Sequence, residues 1–397
     1  MNNYVRSTVF SVFLTLGCIL STKNRVAAQT LPVPVHIVIL IEENYAYSQI
    51  IGSAASAYAP YINALSQDPH SAVFTQSYAM EHPSEPNYLD FFSGQNQGTT
   101  GSDGIPVGYP FTTPNLAAEL IGASKTFKTY SEDLPAPGYD GATYTSGGAN
   151  YARKHNPCAN WMGTGTNQYP GATVNVPYVG YFPDSTNYAS LPTISYVIPN
   201  MTNDMHDGSY PTNITIGDTW FHNHLNSLLP WALNNNTLFI LIFDEDDDFH
   251  GNNVATIFYG PMVQGGTYTR KITFCNILRT LEDMYGLGHA GCAADSSVIN
   301  WCWNTTTGTQ NIASVKSSVT VTPNPANNFV TFAGNSIDLT NASLIITDAF
   351  GRQMNHSVLA NNELQLNTIA YPQGMYFYKI IHSNQSVVEG KFIIRHN

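Results

Sequence analysis

The sequence predicts an α/β domain built on a mainly parallel sheet, followed by a small all-β sandwich. Three observations carry this. VHIVILI and TLFILIF are continuous apolar runs without alternation, as expected of strands buried on both faces of a parallel sheet. From residue 35 to about 300, strand-like and helix-like segments alternate, the pattern of an α/β sandwich. After residue 318 the pattern switches to period two, with short strands divided by turn residues, as in a small β-sandwich.

Taken in order, residues 1–28 read as a secretory signal. Arg6 precedes the apolar stretch 9–20, and Val26, Ala27 and Ala28 offer a small-residue cleavage site before Gln29. That stretch is too short to span a membrane. The first domain is expected over 29–302. Segments 35–41, 125–130, 194–198, 238–243 and 254–259 are expected strands, and 58–66 a helix. Thr113 is placed as the cap of a helix that opens on Pro114. Asp218 is placed as the cap of a helix reaching residue 233 and bent at Pro230. A helix over 273–285 stops at Gly286. The stretch 135–184, rich in Gly, Tyr, Asn and Pro, reads as a long excursion forming a lid or a rim. Residues 303–318 read as a linker, and 319–397 as the second domain.

Composition narrows the function. Of the 397 residues, 43% are hydrophobic and only 11% charged, a balance that suits an exported protein with a large core. Residues 29–314 carry seven Lys or Arg against 23 Asp or Glu, and such a field opposes non-specific nucleic-acid binding. An anionic substrate then needs a local positive charge, which a bound metal supplies. With Cys18 removed in the signal, Cys158, Cys275, Cys292 and Cys302 are left. An even number in an exported chain predicts two disulfides, with three pairings open.

The chemistry gathers in four segments. The first apolar run ends in Glu42, Glu43 and Asn44; the second ends in Asp244 to Asp248. Sites in open α/β sheets lie beyond the carboxyl ends of the strands. Two acidic clusters meeting there repel unless a cation lies between them. HPSEPNYLDFFSG places Ser84 as the cap of a helix N-terminus, where free amides hold an oxyanion and a hydroxyl can serve as nucleophile. NDMHDGS follows the strand ISYVI with Asp204, His206 and Asp207, residues able to bind a metal or protonate a leaving group.

EEN, HPSEPNYLDFFSG, NDMHDGS with GDTWF, and FDEDDD together resemble the phosphoesterase family of acid phosphatases and bacterial phospholipases C, which has the alkaline-phosphatase-like fold. The resemblance covers residues 35–287. It implies one divalent metal ion held by Glu43 and Asn44, by Asp244 and Glu245, and by the nucleophile Ser84. It also implies that Asn87 hydrogen-bonds a phosphate oxygen and that His206 stands near the leaving group. The phospholipase branch has Asp-His after its acidic pair, whereas here Phe249 precedes His250. The donor types leave Ca, Mg, Mn, Zn and Fe open. PNPANNFVTF, ITDAFGRQM and GMYFYKI resemble the type IX (Por) secretion sorting domain, which implies the outer-membrane secretion machinery as partner and a secreted or cell-surface location.

The sequence thus predicts a secreted, metal-dependent phosphoesterase, most like an acid phosphatase, acting on phosphate esters through a phosphoserine. A phospholipase C acting on phosphodiester lipids is the alternative enzyme. A non-catalytic surface protein with a structural Ca²⁺ is the alternative of another class.

Overall fold

The computed structural model describes residues 31–304 and 319–396, apart from 53, 102–103, 335–337, 350–351 and 382–386. The expected signal segment, and all of the expected linker after Asn304, lie outside the described residues. The chain divides into two compact units at Thr305/Thr306.

The first unit is organised by an eight-stranded sheet. Its strands are β1 (His36–Glu42), β2 (Ser71–Phe74), β3 (Phe127–Ser131), β4 (Asn175–Pro177), β5 (Ile194–Ile198), β6 (Thr237–Phe243), β7 (Thr256–Tyr259) and β8 (Gly266–Tyr268). Their order is β8-β2-β7-β6-β1-β5-β3-β4. Every pairing is parallel except those of β7, which runs against both β6 and β2. All seven residues of β1 and all seven of β6 are buried, which accounts for their lack of alternation. The sheet is therefore mainly parallel, with helices on its faces.

The longer helices are α1 (Pro60–Ser66), α2 (Ser84–Ser93), α3 (Leu116–Gly122), α4 (Thr212–Leu225), α5 (Leu228–Asn234) and α6 (Phe274–Tyr285). All ten residues of α2 are buried, so it shows no amphipathic stripe. It stops at Gly94, whose left-handed φ of 66° and contact with the Ala290 carbonyl exclude a Cβ. Helix α6 opens on a capping box between Thr273 and Asn276 and stops at left-handed Gly286, as the sequence predicts.

Four local expectations are corrected. Ser84 is the first helical residue, and Pro83 holds the cap position. Asn115 caps α3, its side chain accepting from Ala118 N; Thr113 bonds Gln97 instead. Asp218 lies in mid-α4, and its carboxylate accepts from Tyr61 N and Ile62 N, so it caps α1 next door. Pro230 sits in the first turn of the separate α5, where its missing N–H costs nothing, and the break precedes it.

A further correction concerns the cysteines. Cys275 and Cys292 form a disulfide, while Cys158 and Cys302 are free and buried, one bridge where two were expected. The stretch 135–184 is packed into the fold: it supplies edge strand β4 and fully buries Arg153 and Trp161.

The second unit holds two antiparallel sheets. Val319–Thr322, Phe329–Gly334 and Glu363–Asn367 form one; Gln353–Val358, Ser343–Asp348, Gly374–Ile381 and Val387–Ile394 form the other. Val330 and Phe332 from the first share a core with Leu344, Ile346, Tyr376 and Phe392 from the second.

Candidate active site

Strand register builds the site. β1 and β6 pair in parallel with Glu42 opposite Phe243, so Glu43 and Asp244 leave the sheet side by side. Two bonds lock the exit: Asp244 N–H donates to Glu42 O at 3.0 Å, and Asn44 N–H to Asp244 Oδ1 at 3.2 Å. Asn44 reaches this position with φ of 61°, a conformation asparagine tolerates better than most residues. The loop after β5 closes the third side, where Glu43 N–H donates to Asp204 O.

Ser84 completes the centre. Its Oγ lies 2.9 Å from Glu43 Oε2 and 2.8 Å from Glu245 Oε1. One hydroxyl proton cannot satisfy two carboxylates. The Glu43, Asp244 and Glu245 carboxylates approach within 4.8 Å of one another and are buried. Asp244 Oδ2 is buried without a hydrogen-bond partner. An orphaned carboxylate oxygen inside a cluster of hard oxygen donors fits a divalent cation.

The electrostatics agree. Burial, then the charges of Glu43 and Glu245, raise Asp244 well above the usual carboxylate range. Burial, then the charge of Glu43, lifts Glu245 to about 7. Burial would lift Glu43 as well, but His155 outweighs it and lowers Glu43 to about 2. His155 is itself opposed by burial, yet Glu43 and Asp204 raise it to about 10. Its Nε2 stands 2.9 Å from Glu43 Oε1 and its Nδ1 2.8 Å from Asp204 Oδ2, and Tyr88 stacks on its ring. His155 is an imidazolium clamped between two carboxylates.

His206 flanks a cavity of about 510 Å³ that also touches Asn44, Tyr45, Tyr210 and Glu245. Its Nδ1 lies 3.0 Å from Asp207 Oδ1 and its Nε2 3.1 Å from Lys154 Nζ. Asn87 is turned to other work. Its Oδ1 accepts from Met80 N and Glu81 N, and its Nδ2 donates to Glu81 O, so it braces the turn leading into Ser84. His250 pairs with Asp247 and belongs to a different side-chain group from Glu43, Asp244 and Glu245.

Three contributors escaped the sequence reading: His155, Lys154 and His82. His82 Nδ1 lies 2.8 Å from Glu245 Oε2, and its Nε2 3.2 Å from Asp246 Oδ1. Arg153, Lys154 and His155 form a basic triplet in a domain poor in cations, a signal that points to them.

A family model described as the phosphoesterase family matches residues 56–288, more than half of the chain. The chain belongs to the phosphoesterase family. Membership places it among hydrolases acting on phosphoric ester bonds. This phosphoesterase is similar to phosphatidylinositol-3-phosphatase of Mycobacterium tuberculosis, at 43% identity over 277 residues covering 70% of this chain and 85% of the relative. It is similar to the phosphate-repressible acid phosphatase of Penicillium chrysogenum, at 30% identity over 250 residues covering 58% of each. It therefore spans less than two thirds of that fungal relative. Among solved structures, it is similar to a protein in the alkaline phosphatase superfamily from Vibrio parahaemolyticus, with TM-score 0.46, 12% identity, and coverage of 84% and 83% of the two chains. Residues 320–395 match the secretion system C-terminal sorting domain, which marks this phosphoesterase for export, secreted or held at the cell surface. Among the described residues, no helix is long and apolar enough to cross a membrane.

Proposed function

We propose that this phosphoesterase is a metal-dependent phosphomonoesterase, acid-phosphatase-like, that works through a phosphoserine at Ser84. The observation that carries the reading is the Ser84 hydroxyl set between Glu43 Oε2 and Glu245 Oε1 at the start of a buried helix. Glu43, Asn44, Asp244 and Glu245 would hold one divalent cation, of Ca, Mg, Mn, Zn or Fe. Such an ion favours the serine alkoxide and offsets charge on the phosphoryl oxygens.

The residues of the chain divide the remaining work. Ser84 Oγ bonds to phosphorus as the ester oxygen departs, and its proton passes to an adjoining carboxylate. The first-turn amides of α2 and their partial positive charge favour the phosphoryl group. His206 lines the cavity, held at Nδ1 by Asp207; its Nε2, protonated once the Lys154 ammonium turns away from it, supplies a proton to the departing alkoxide. Water then attacks the phosphoserine from the vacated side, and Ser84 leaves with its proton restored. His155 keeps Glu43 ionised, and Asn87 braces the Ser84 turn.

The relative named phosphatidylinositol-3-phosphatase extends the reading to the phosphorylated headgroup of an inositol lipid, a monoester like para-nitrophenyl phosphate. The test is turnover of para-nitrophenyl phosphate, an inositol-lipid monophosphate and phosphatidylcholine by the parent and by Ser84→Ala. The parent turns over the two monoesters and not the diester. Ser84→Ala loses about 10³-fold or more in kcat. Near-parental activity in the variant removes the nucleophile, and preferential diester cleavage turns the reading towards a phospholipase C.

A further inference from the structure

The C-terminal half of α2 and the loop after it line a second cavity of about 510 Å³, whose walls include Glu81, Asp90, Gln95, Asn96 and Cys292. Asp90 is only 6% exposed, and among the described residues no hydrogen bond or ion pair reaches its carboxylate. Glu81 has one bond, from Asn96 Nδ2 to its Oε1 at 2.7 Å. No Lys, Arg or His is among the described residues of the wall. The Asp90 oxygens open only into this cavity, and a carboxylate so enclosed, facing a second carboxylate with no cation beside it, is a costly arrangement. Burial, then the charge of Glu81, pushes Asp90 up to about 7.

We propose that this cavity is a calcium site held by the carboxylates of Glu81 and Asp90, separate from the Ser84 centre. The donors on offer are carboxylate and amide oxygens, a hard set that suits Ca²⁺ completed by water. Cys292 is tied up in its disulfide and offers no thiolate. The site has a structural consequence. Glu81 O accepts from both Asn87 Nδ2 and Asn252 Nδ2, so a cation on Glu81 ties the turn before Ser84 to the acidic loop after β6.

Calorimetric titration of the metal-stripped full chain with calcium chloride tests this, with Asp90→Asn, Glu81→Gln and Asp244→Asn beside the parent. The expected result is that Asp90→Asn and Glu81→Gln each lose one calcium equivalent, and that this equivalent survives Asp244→Asn. The calcium-dependent rise in Tm falls in the same two variants. Glu81→Gln stands alone should Asp90→Asn not fold. The inference is overturned if the folded variants bind as much calcium as the parent, or if the equivalent they lose is the one Asp244→Asn removes. A failure here leaves the Ser84 reading intact, because that reading depends on Asp244 and not on Asp90.

Discussion

The hydroxyl of Ser84 lies 2.8 Å from Oε1 of Glu245, 161 residues further along the chain. Parallel strands make this meeting. β1 and β6 end level with one another, and the turn before α2 delivers the serine between their acidic exits. Glu245→Gln keeps the shape and removes the charge. We expect kcat to fall about 10²-fold or more, with weaker metal binding, measured by steady-state kinetics over a metal titration. Unchanged kcat would place Glu245 outside the chemistry.

Metal removal gives the next prediction. Chelation abolishes turnover of the parent, and a divalent cation restores it. In Asp244→Asn the orphaned Oδ2 becomes an amide or is lost as an anionic donor, so restoration needs far more cation. Elemental analysis beside the activity titration checks both; activity in a chain verified to be metal-free contradicts the assignment.

His155 carries a stability prediction. It is buried between Glu43 and Asp204, and removing one partner of a buried ion pair strands the charges left behind. His155→Ala in chelator should destabilise the first unit by about 3 kcal/mol or more, read by urea unfolding. A loss within the error of the extrapolation would mean that the carboxylates are neutral there.

Leaving groups distinguish the role of His206. Proton donation matters little for nitrophenolate and much for an alkoxide. His206→Ala should therefore cost about 10²-fold or more on glycerol phosphate and far less on para-nitrophenyl phosphate. Equal losses on both substrates point to binding instead.

Glu282 predicts a pH effect away from the active site. Its carboxylate is buried and accepts from Ala290 N. Burial, with Glu119 and Asp283 adding to it and Ala290 N and Arg279 opposing, raises it from 4.5 to about 8. Between those values the native chain keeps a proton that the unfolded chain has released, so this group's contribution to stability falls as pH rises through that window. Glu282→Gln cannot titrate. Urea unfolding across the window should show the parent losing stability relative to the variant; parallel curves contradict the shift.

Much of this was legible because the informative segments are local. VHIVILIEEN and TLFILIFDEDDD each join a buried strand to its acidic exit, and strand ends are where α/β sites form. HPSEPNY announces a helix start, although proline took the cap position and left Ser84 inside the first turn. What failed were contacts made across space. Asp218 looked like a cap for its own helix and caps α1. Asn87, one turn beyond Ser84, turned back to the 80–81 backbone. His155 closes a single 3-10 turn, Arg153–His155, inside the long excursion, so no extended period or apolar strand end pointed to it. Cys158 and Cys302 count towards an even number, yet each is buried in its own part of the core.

The central claim is a covalent phosphoserine at Ser84, and acid quenching during turnover tests it most directly. The full chain, mixed with an excess of para-nitrophenyl phosphate and quenched within one turnover, is digested and its phosphopeptides are mapped. The account predicts one phosphoryl group, on Ser84, that decays as inorganic phosphate appears and is absent from Ser84→Ala. Full turnover with no phosphorylated enzyme at any quench time, or a phosphoryl group on another residue, would contradict it.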